Sequence, residues 1–240
     1  MKLLFVAIML MVAGSVMAQP SNVLVYHDVY GAYGTAVITA INNLWPGCTV
    51  GDYSGGTSGY TAFNAALASQ AWDLVICEMW YYNTDDLAWY MLNDIYDTTP
   101  IFVSSWEWSG GTSGQMTLAN TMGVTAVSGF GAPVVPHYAW ETSHPICAGI
   151  SDWSWADPGL GILNGRMTVS DAVPVTGWTA TSTPGQGGIC VANNGQSIIS
   201  GYTPAYATDA VNIWENILEF MYGGGGALQQ STWGAIKAGF

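Results

Sequence analysis

Asp28, Glu78 and Glu107 are the side chains with the most chemistry to offer. Each stands just past a short apolar run: 22–26 (NVLVY), 73–77 (DLVIC) and 100–104 (PIFVS). A carboxylate can act as general acid or base, accept hydrogen bonds from hydroxyls, or hold a hard cation. If the three runs are neighbouring parallel strands, the three carboxylates share the edge where open α/β sheets bind ligands. Ser104, Ser105, Trp80 and Trp106 fall in the same places. The candidate ligand-binding set is therefore Asp28, Glu78, Trp80, Ser104, Trp106 and Glu107. The catalytic candidates are Glu107, Glu78, His144 and Ser105, in an acid–base or serine-nucleophile role. His144 precedes Pro145, and its ring is expected to bond nearby backbone and order a loop. His27 and His137 read as structural.

Aromatic side chains crowd the same edge: Tyr26, Tyr30, Tyr33, Trp80, Tyr81, Tyr82, Trp106 and Trp108. Flat faces beside acceptor groups suit sugar rings or a protein partner, and they can equally cover a large core. No Asp-x-Asp-x-Asp-Gly loop and no Cys-x-x-Cys or Cys/His cluster is present, so no metal is expected. The 31–34 turn (GAYG) is neither a dinucleotide fingerprint nor a phosphate loop, and no Lys accompanies it. No cofactor is expected.

The elements that would position these residues alternate. Residues 22–26, 48–53, 73–77 and 100–104 read as strands. Between them, apolar residues recur at helical spacing at Val37, Ile41 and Leu44, at Tyr60, Phe63 and Leu67, and at Leu87, Met91 and Ile95. Asn83 and Thr84 are positioned to cap the third of these helices. A short fourth helix covers 117–122. Three strand–helix units in a row predict right-handed crossovers and a three-layer, doubly wound, mainly parallel sheet. Short strand-like pieces follow at 124–127, 134–139, 166–169, 173–178, 188–192 and 197–202. Asn193-Asn194-Gly195 joins the last two as a hairpin turn. A final helix over 208–222 carries Val211, Trp214, Leu218 and Met221 on one face.

The ends read differently. Residues 1–18 combine a short positive start, an apolar run too short to span a bilayer, and small residues at −3 and −1 of a cut before Gln19. That is the pattern of a secretory signal peptide. The expected organisation is a signal peptide (1–18), one α/β domain (19–222), and a Gly-rich linker with a short tail (223–240). The expected location is secreted, periplasmic or cell-surface. Disulfides can persist there, and Cys77 and Cys190, inside apolar runs, can equally be buried thiols.

Composition narrows the function classes. Half the residues are hydrophobic and 8% are charged, which excludes a disordered chain. Three Lys or Arg against sixteen Asp or Glu give a net charge of −13. Lys2 is in the leader and Lys237 in the tail, so the domain holds one cation, Arg166. Nucleic acid and anionic membrane surfaces are excluded as partners, since both need several cations.

The order of elements resembles the class I glutamine amidotransferase-like superfamily, within the flavodoxin-like folds. It looks most like the uncharacterised secreted domains of that type. The opening NVLVYHD, DLVIC with its following aromatic, PIFVSSWEW, SHPICAG (143–149), VTGWTATSTPGQGGICV (175–191) and NGQSIISGY (194–202) carry the resemblance. Active members place a Cys on a tight, Gly-flanked turn after the fourth strand, with His and Glu near a late strand. Here those places read Ser104-Ser105-Trp106-Glu107 and Ser200-Gly201-Tyr202-Thr203-Pro204, with none of the three residues in its place. The resemblance therefore implies the fold without the triad.

The expectation that follows is a secreted, non-catalytic binding module with its site at the C-terminal edge of the parallel strands. Its partner would be a carbohydrate or another exported protein. One rival is a carboxylate-dependent hydrolase acting on carbohydrate. The other is a structural or surface-display module docking through its tail.

Overall fold

The computed structural model describes residues 19–29, 34–79, 86–105, 108, 113–130, 136–155 and 164–222. The expected signal peptide and the linker with its tail lie outside these residues. The elements run β1 (Asn22–His27), α1 (Thr35–Leu44), β2 (Thr49–Ser54), α2 (Gly56–Ser69), β3 (Leu74–Met79), α3 (Leu87–Ile95), β4 (Ile101–Ser105), α4 (Ser113–Thr121), β5 (Val124–Phe130), β6 (Tyr138–Ala139), β7 (Asn164–Val169), β8 (Val173–Pro174), β9 (Thr176–Gly177), β10 (Ile189–Ala192), β11 (Ser197–Ser200) and α5 (Ala210–Tyr222). Among the described residues no helix is long and apolar enough to cross a membrane.

A seven-stranded sheet of order β2-β1-β3-β4-β11-β10-β8 forms the middle layer. From β2 to β11 every pairing is parallel, and β10 and β8 close one side antiparallel. The chain leaves β1 toward β2 on one side and returns to β3 on the other, so the order reverses between β1 and β3. The fold is the doubly wound α/β architecture that the alternating elements predict. The β10–β11 hairpin turns through Asn193 and Asn194, both at positive φ (47° and 53°), as Asn tolerates and the turn requires.

Two cores sandwich the sheet. On one face Val23, Val25, Leu74, Ile76, Phe102 and Ile198 pack against α1 and α5, with Trp214 edge-on to Phe102 at 4.6 Å. On the other face Leu24, Tyr26, Val75, Cys77, Val103 and Ile199 meet α2, α3, α4 and β5. Period-two alternation therefore sorts every strand residue to a face. The stripe expected on α3 is displaced. Ala88, Trp89 and Leu92 are buried, whereas Leu87 is 52% exposed. The Trp89 ring lies 5.5 Å from that of Trp108, and this contact turns the helix. The Asn83–Thr84 cap lies outside the described residues. Asp86 occupies the N-cap position but accepts instead from the Gly114 N–H at the start of α4, at 2.8 Å.

All four cysteines are free thiols. Burial pushes Cys147 and Cys190 up to about 12, and Cys77 upward in the same way, so these thiols stay protonated.

Asp73 fastens the entry of the sheet. Its Oδ2 accepts from the N–H groups of Ser21 and Asn22, at 2.7 and 3.1 Å, and its own N–H donates to Asn22 Oδ1 at 2.8 Å. Asp73→Ala removes both charge-assisted hydrogen bonds from the start of β1. It should cost about 1–2 kcal/mol in urea unfolding. An unchanged midpoint would show that water replaces the carboxylate without loss.

Candidate functional site

Four polar side chains continue the apolar rows at the C-terminal end of the sheet. Register pairs His27 with Glu78, Glu78 with Ser104, and Ser104 with Ser200. Neighbouring strands are about 4.8 Å apart, so the four side chains form one row on the α1/α5 face, across the β1/β3 reversal.

Glu78 is fully buried, and Ser104 is 1% exposed. The segment after β11 folds over them. Ser200 Oγ donates to the Tyr202 carbonyl at 2.5 Å and accepts from the Tyr202 N–H at 3.1 Å, which bends the chain back. The Ala205 N–H then donates to Glu78 Oε1 at 3.1 Å. Glu78 Oε2 and Ser104 Oγ, side by side in register, have no hydrogen-bond partner. Burial raises the Glu78 carboxyl from 4.5 to about 8, against the smaller opposing pull of the Ala205 N–H. At neutral pH Glu78 is mostly a neutral acid, able both to donate and to accept.

Asp28 does not join this row. Its N–H donates to the Glu78 carbonyl at 3.0 Å, so the two backbones touch. Alternation sends its carboxylate to the opposite face, beside Tyr26, where Oδ1 accepts weakly from the Gly56 N–H at 3.5 Å. Ser105 also faces that side, and its hydroxyl accepts from Gln115 Nε2 at 3.2 Å. Trp80, Trp106 and Glu107 lie outside the described residues, as do Tyr30, Tyr33, Tyr81 and Tyr82.

His144 is held elsewhere. Its Nδ1 accepts from the Ile146 N–H at 3.2 Å, and its ring packs on Phe220 at 4.6 Å. Phe220 lies about 15 Å along α5 from Ala210, which follows the turn over Glu78. The structure therefore does not bring His144 to Glu78 as an acid–base couple; it orders a loop at the far end of the helix. His27 Nε2 donates to Asp52 Oδ1 (2.9 Å), and its ring lies against Gly34, where a Cβ would come within 2.3 Å of Nδ1. Of the aromatic residues expected at the edge, Tyr26 and Trp108 are core, 0% and 1% exposed.

Sequence reasoning missed Tyr202. Its hydroxyl donates to the Trp153 carbonyl at 2.9 Å, and His137 stacks on its ring at 4.2 Å. The signal available was Ser-Gly-Tyr at the end of a strand, a small-residue bend before an aromatic. Among the described residues no group of three or more His, Cys, Asp or Glu could hold a metal ion.

No family model matches the chain, and no curated protein does. Solved structures do. A ThuA-like protein from Bacteroides uniformis ATCC 8492 superposes with a TM-score of 0.52 at 8% identity, over 83% of this chain and 90% of that one. A second, from Parabacteroides merdae ATCC 43184, gives 0.44 at 9% identity, over 86% and 91%. ThuA-like proteins belong to the class I glutamine amidotransferase-like superfamily. The chain thus has an amidotransferase-like, flavodoxin-like α/β fold; at this identity the likeness is one of fold alone.

Proposed function

We propose that the protein is a secreted binding module whose ligand sits at the C-terminal edge of the parallel strands, over Glu78 and Ser104. The observation that carries this reading is the adjacent pair of buried, unpartnered atoms, Glu78 Oε2 on β3 and Ser104 Oγ on β4, one strand along from the point where strand order reverses. Buried polar groups without partners are costly and uncommon, and a ligand hydroxyl would satisfy both. The chain's negative charge disfavours an anionic ligand, and carbohydrate offers hydroxyls without charge. Titration of cellohexaose, xylohexaose, maltohexaose and chitohexaose by calorimetry tests it. Ser104→Ala should weaken the tightest of these about tenfold, the equivalent of one hydrogen bond. Binding that ignores this substitution, or no binding at all, would remove the proposal.

One observation favours a second reading, a hydrolase in which Glu78 is the general acid. A carboxyl raised to about 8 is protonated where such an acid must be. Release of shorter sugars from the same four oligosaccharides, lost in Glu78→Gln, would establish it. Intact oligosaccharides after prolonged incubation would dismiss it.

A further inference from the structure

A groove of about 590 Å³ opens in the second half of the chain. His137, Trp153 and Trp155 line it, each less than 9% exposed, with Asp152 and Ser154 exposed at its mouth. Asp28, Glu78 and Ser104 are not among its lining residues.

The walls are fixed from behind. His137 stacks on Tyr202 at 4.2 Å and 16°, and stands edge-on to Trp178 at 4.4 Å and Trp153 at 5.8 Å. Its Nε2 is bonded to Thr176 Oγ1 at 2.7 Å, and that oxygen accepts from the Ile189 N–H at 2.9 Å. A Cβ on Gly188 would come within 2.1 Å of His137 Cε1, so the ring lies against bare backbone. Trp155 packs on Tyr202 and Tyr206 at 5.4 and 5.9 Å.

Three polar atoms in this wall are unspent. Trp153 Nε1, Trp155 Nε1 and His137 Nδ1 are buried and have no hydrogen-bond partner. An indole N–H only donates, so whatever completes the site must bring an acceptor. An alkylammonium ion suits aromatic walls but brings none. A carboxylate or phosphate brings one, but it would meet the Asp152 carboxylate at the mouth, a net charge of −13, and an imidazole held neutral by burial, its value lowered to about 3. Asp152 accepts from both the N–H and the hydroxyl of Ser154, which lowers its own value and keeps it ionised. A hydroxyl-bearing, uncharged molecule with apolar C–H faces meets every one of these conditions: acceptors and donors for the unspent ring nitrogens, hydroxyls for Asp152, and faces for the rings.

We propose that this groove is a carbohydrate-binding site, separate from the strand-end floor, in which Trp153 Nε1 and His137 Nδ1 bond hydroxyls of a neutral sugar.

The same four neutral oligosaccharides, cellohexaose, xylohexaose, maltohexaose and chitohexaose, are titrated into the full chain, with tetramethylammonium chloride and hexagalacturonate as charged controls. At least one neutral probe should bind. Trp153→Phe keeps an aromatic ring and deletes the N–H, and should weaken that probe tenfold or more at the groove, independently of the loss that Ser104→Ala causes at the strand-end floor. The reverse pattern, loss with Ser104→Ala and none with Trp153→Phe, supports the floor and overturns the groove. Absence of binding by all four neutral probes, or binding of a charged control alone, also overturns it. Should Trp153→Phe fail to fold, a co-crystal of the unaltered chain with the tightest probe decides. A sugar hydroxyl within hydrogen-bond reach of Trp153 Nε1 sustains the site, and water alone in the groove ends it.

Discussion

Glu78→Gln should make the protein more stable than the native chain at pH 8, and it should abolish the loss of stability that the native chain shows above about pH 6.5. The folded state holds the Glu78 proton until about pH 8, whereas the unfolded chain gives it up near 4.5. Between those values the folded state binds the extra proton, so stability falls as pH rises. A separation this wide corresponds to several kcal/mol across the window. Gln is neutral throughout and retains a carbonyl oxygen for the Ala205 N–H.

The buried histidines act with the opposite sign. Burial lowers His137 to about 3 and His144 to about 4, from 6.5. Over their windows the unfolded state binds the extra protons, so stability rises with pH up to about 6.5. From 4.5 to 6.5 two histidines outweigh one carboxyl; above 6.5 the carboxyl acts alone. The native chain should therefore be most stable near pH 6.5, and Glu78→Gln should keep the acid limb and flatten the alkaline one. Thermal melts from pH 4 to 9 check both. Parallel curves for the two proteins would mean that Glu78 is ionised in the fold, and with it would go the donor half of the strand-end floor.

The layered sheet was legible because its signals are local. Apolar runs of four or five residues, separated by helical spacing at Val37, Ile41 and Leu44 or Tyr60, Phe63 and Leu67, define strand–helix units without reference to distant residues. The pairing of β11 beside β4 was not legible, since it joins residues about a hundred positions apart and depends on the whole core. The same limit separates Asp28 from Glu78. Both follow strands, but which face each carboxylate takes depends on the register of β1 against β3. The rotation of α3 was misjudged because Leu87, Met91 and Ile95 share a face as plausibly as Ala88, Trp89 and Leu92; only the Trp89–Trp108 contact decides. His137 did read as structural, and its burial fits. Its unspent Nδ1 depends on Thr176 taking the other nitrogen, which no local pattern announces. The groove's tryptophans had a faint local signal, the Asp-Trp-Ser-Trp alternation at 152–155, which puts both rings on one side of an extended chain.

Gly201→Ala should be among the most damaging single-atom-scale changes in the protein, although the residue touches no ligand candidate. Gly201 follows β11 directly and is crossed by β7. A Cβ there would lie 2.0 Å from the Gly165 carbonyl oxygen and 2.7 Å from its Cα, both backbone atoms that cannot rotate away. The crossing is bonded from both chains: the Gly165 N–H donates to the Gly201 carbonyl, and the Gly201 N–H to the Gly188 carbonyl, each at 2.9 Å. The Gly165 carbonyl is further held by Trp178 Nε1 at 2.9 Å. Parting the strands enough for a methyl group breaks this set, and the expected cost is about 3 kcal/mol or more. Gly165→Ala is the control, since its Cβ would meet nothing closer than 3.0 Å. It should cost about 1 kcal/mol, within reach of small adjustments. The displacement should also move Tyr202 and slacken the turn that buries Glu78. Gly201→Ala should then lose part of the alkaline decline in stability while Gly165→Ala keeps it. Urea midpoints at pH 6.5 and 8 measure both effects. Equal midpoints for the two variants would show that the crossing yields, and that the cover over Glu78 does not depend on it.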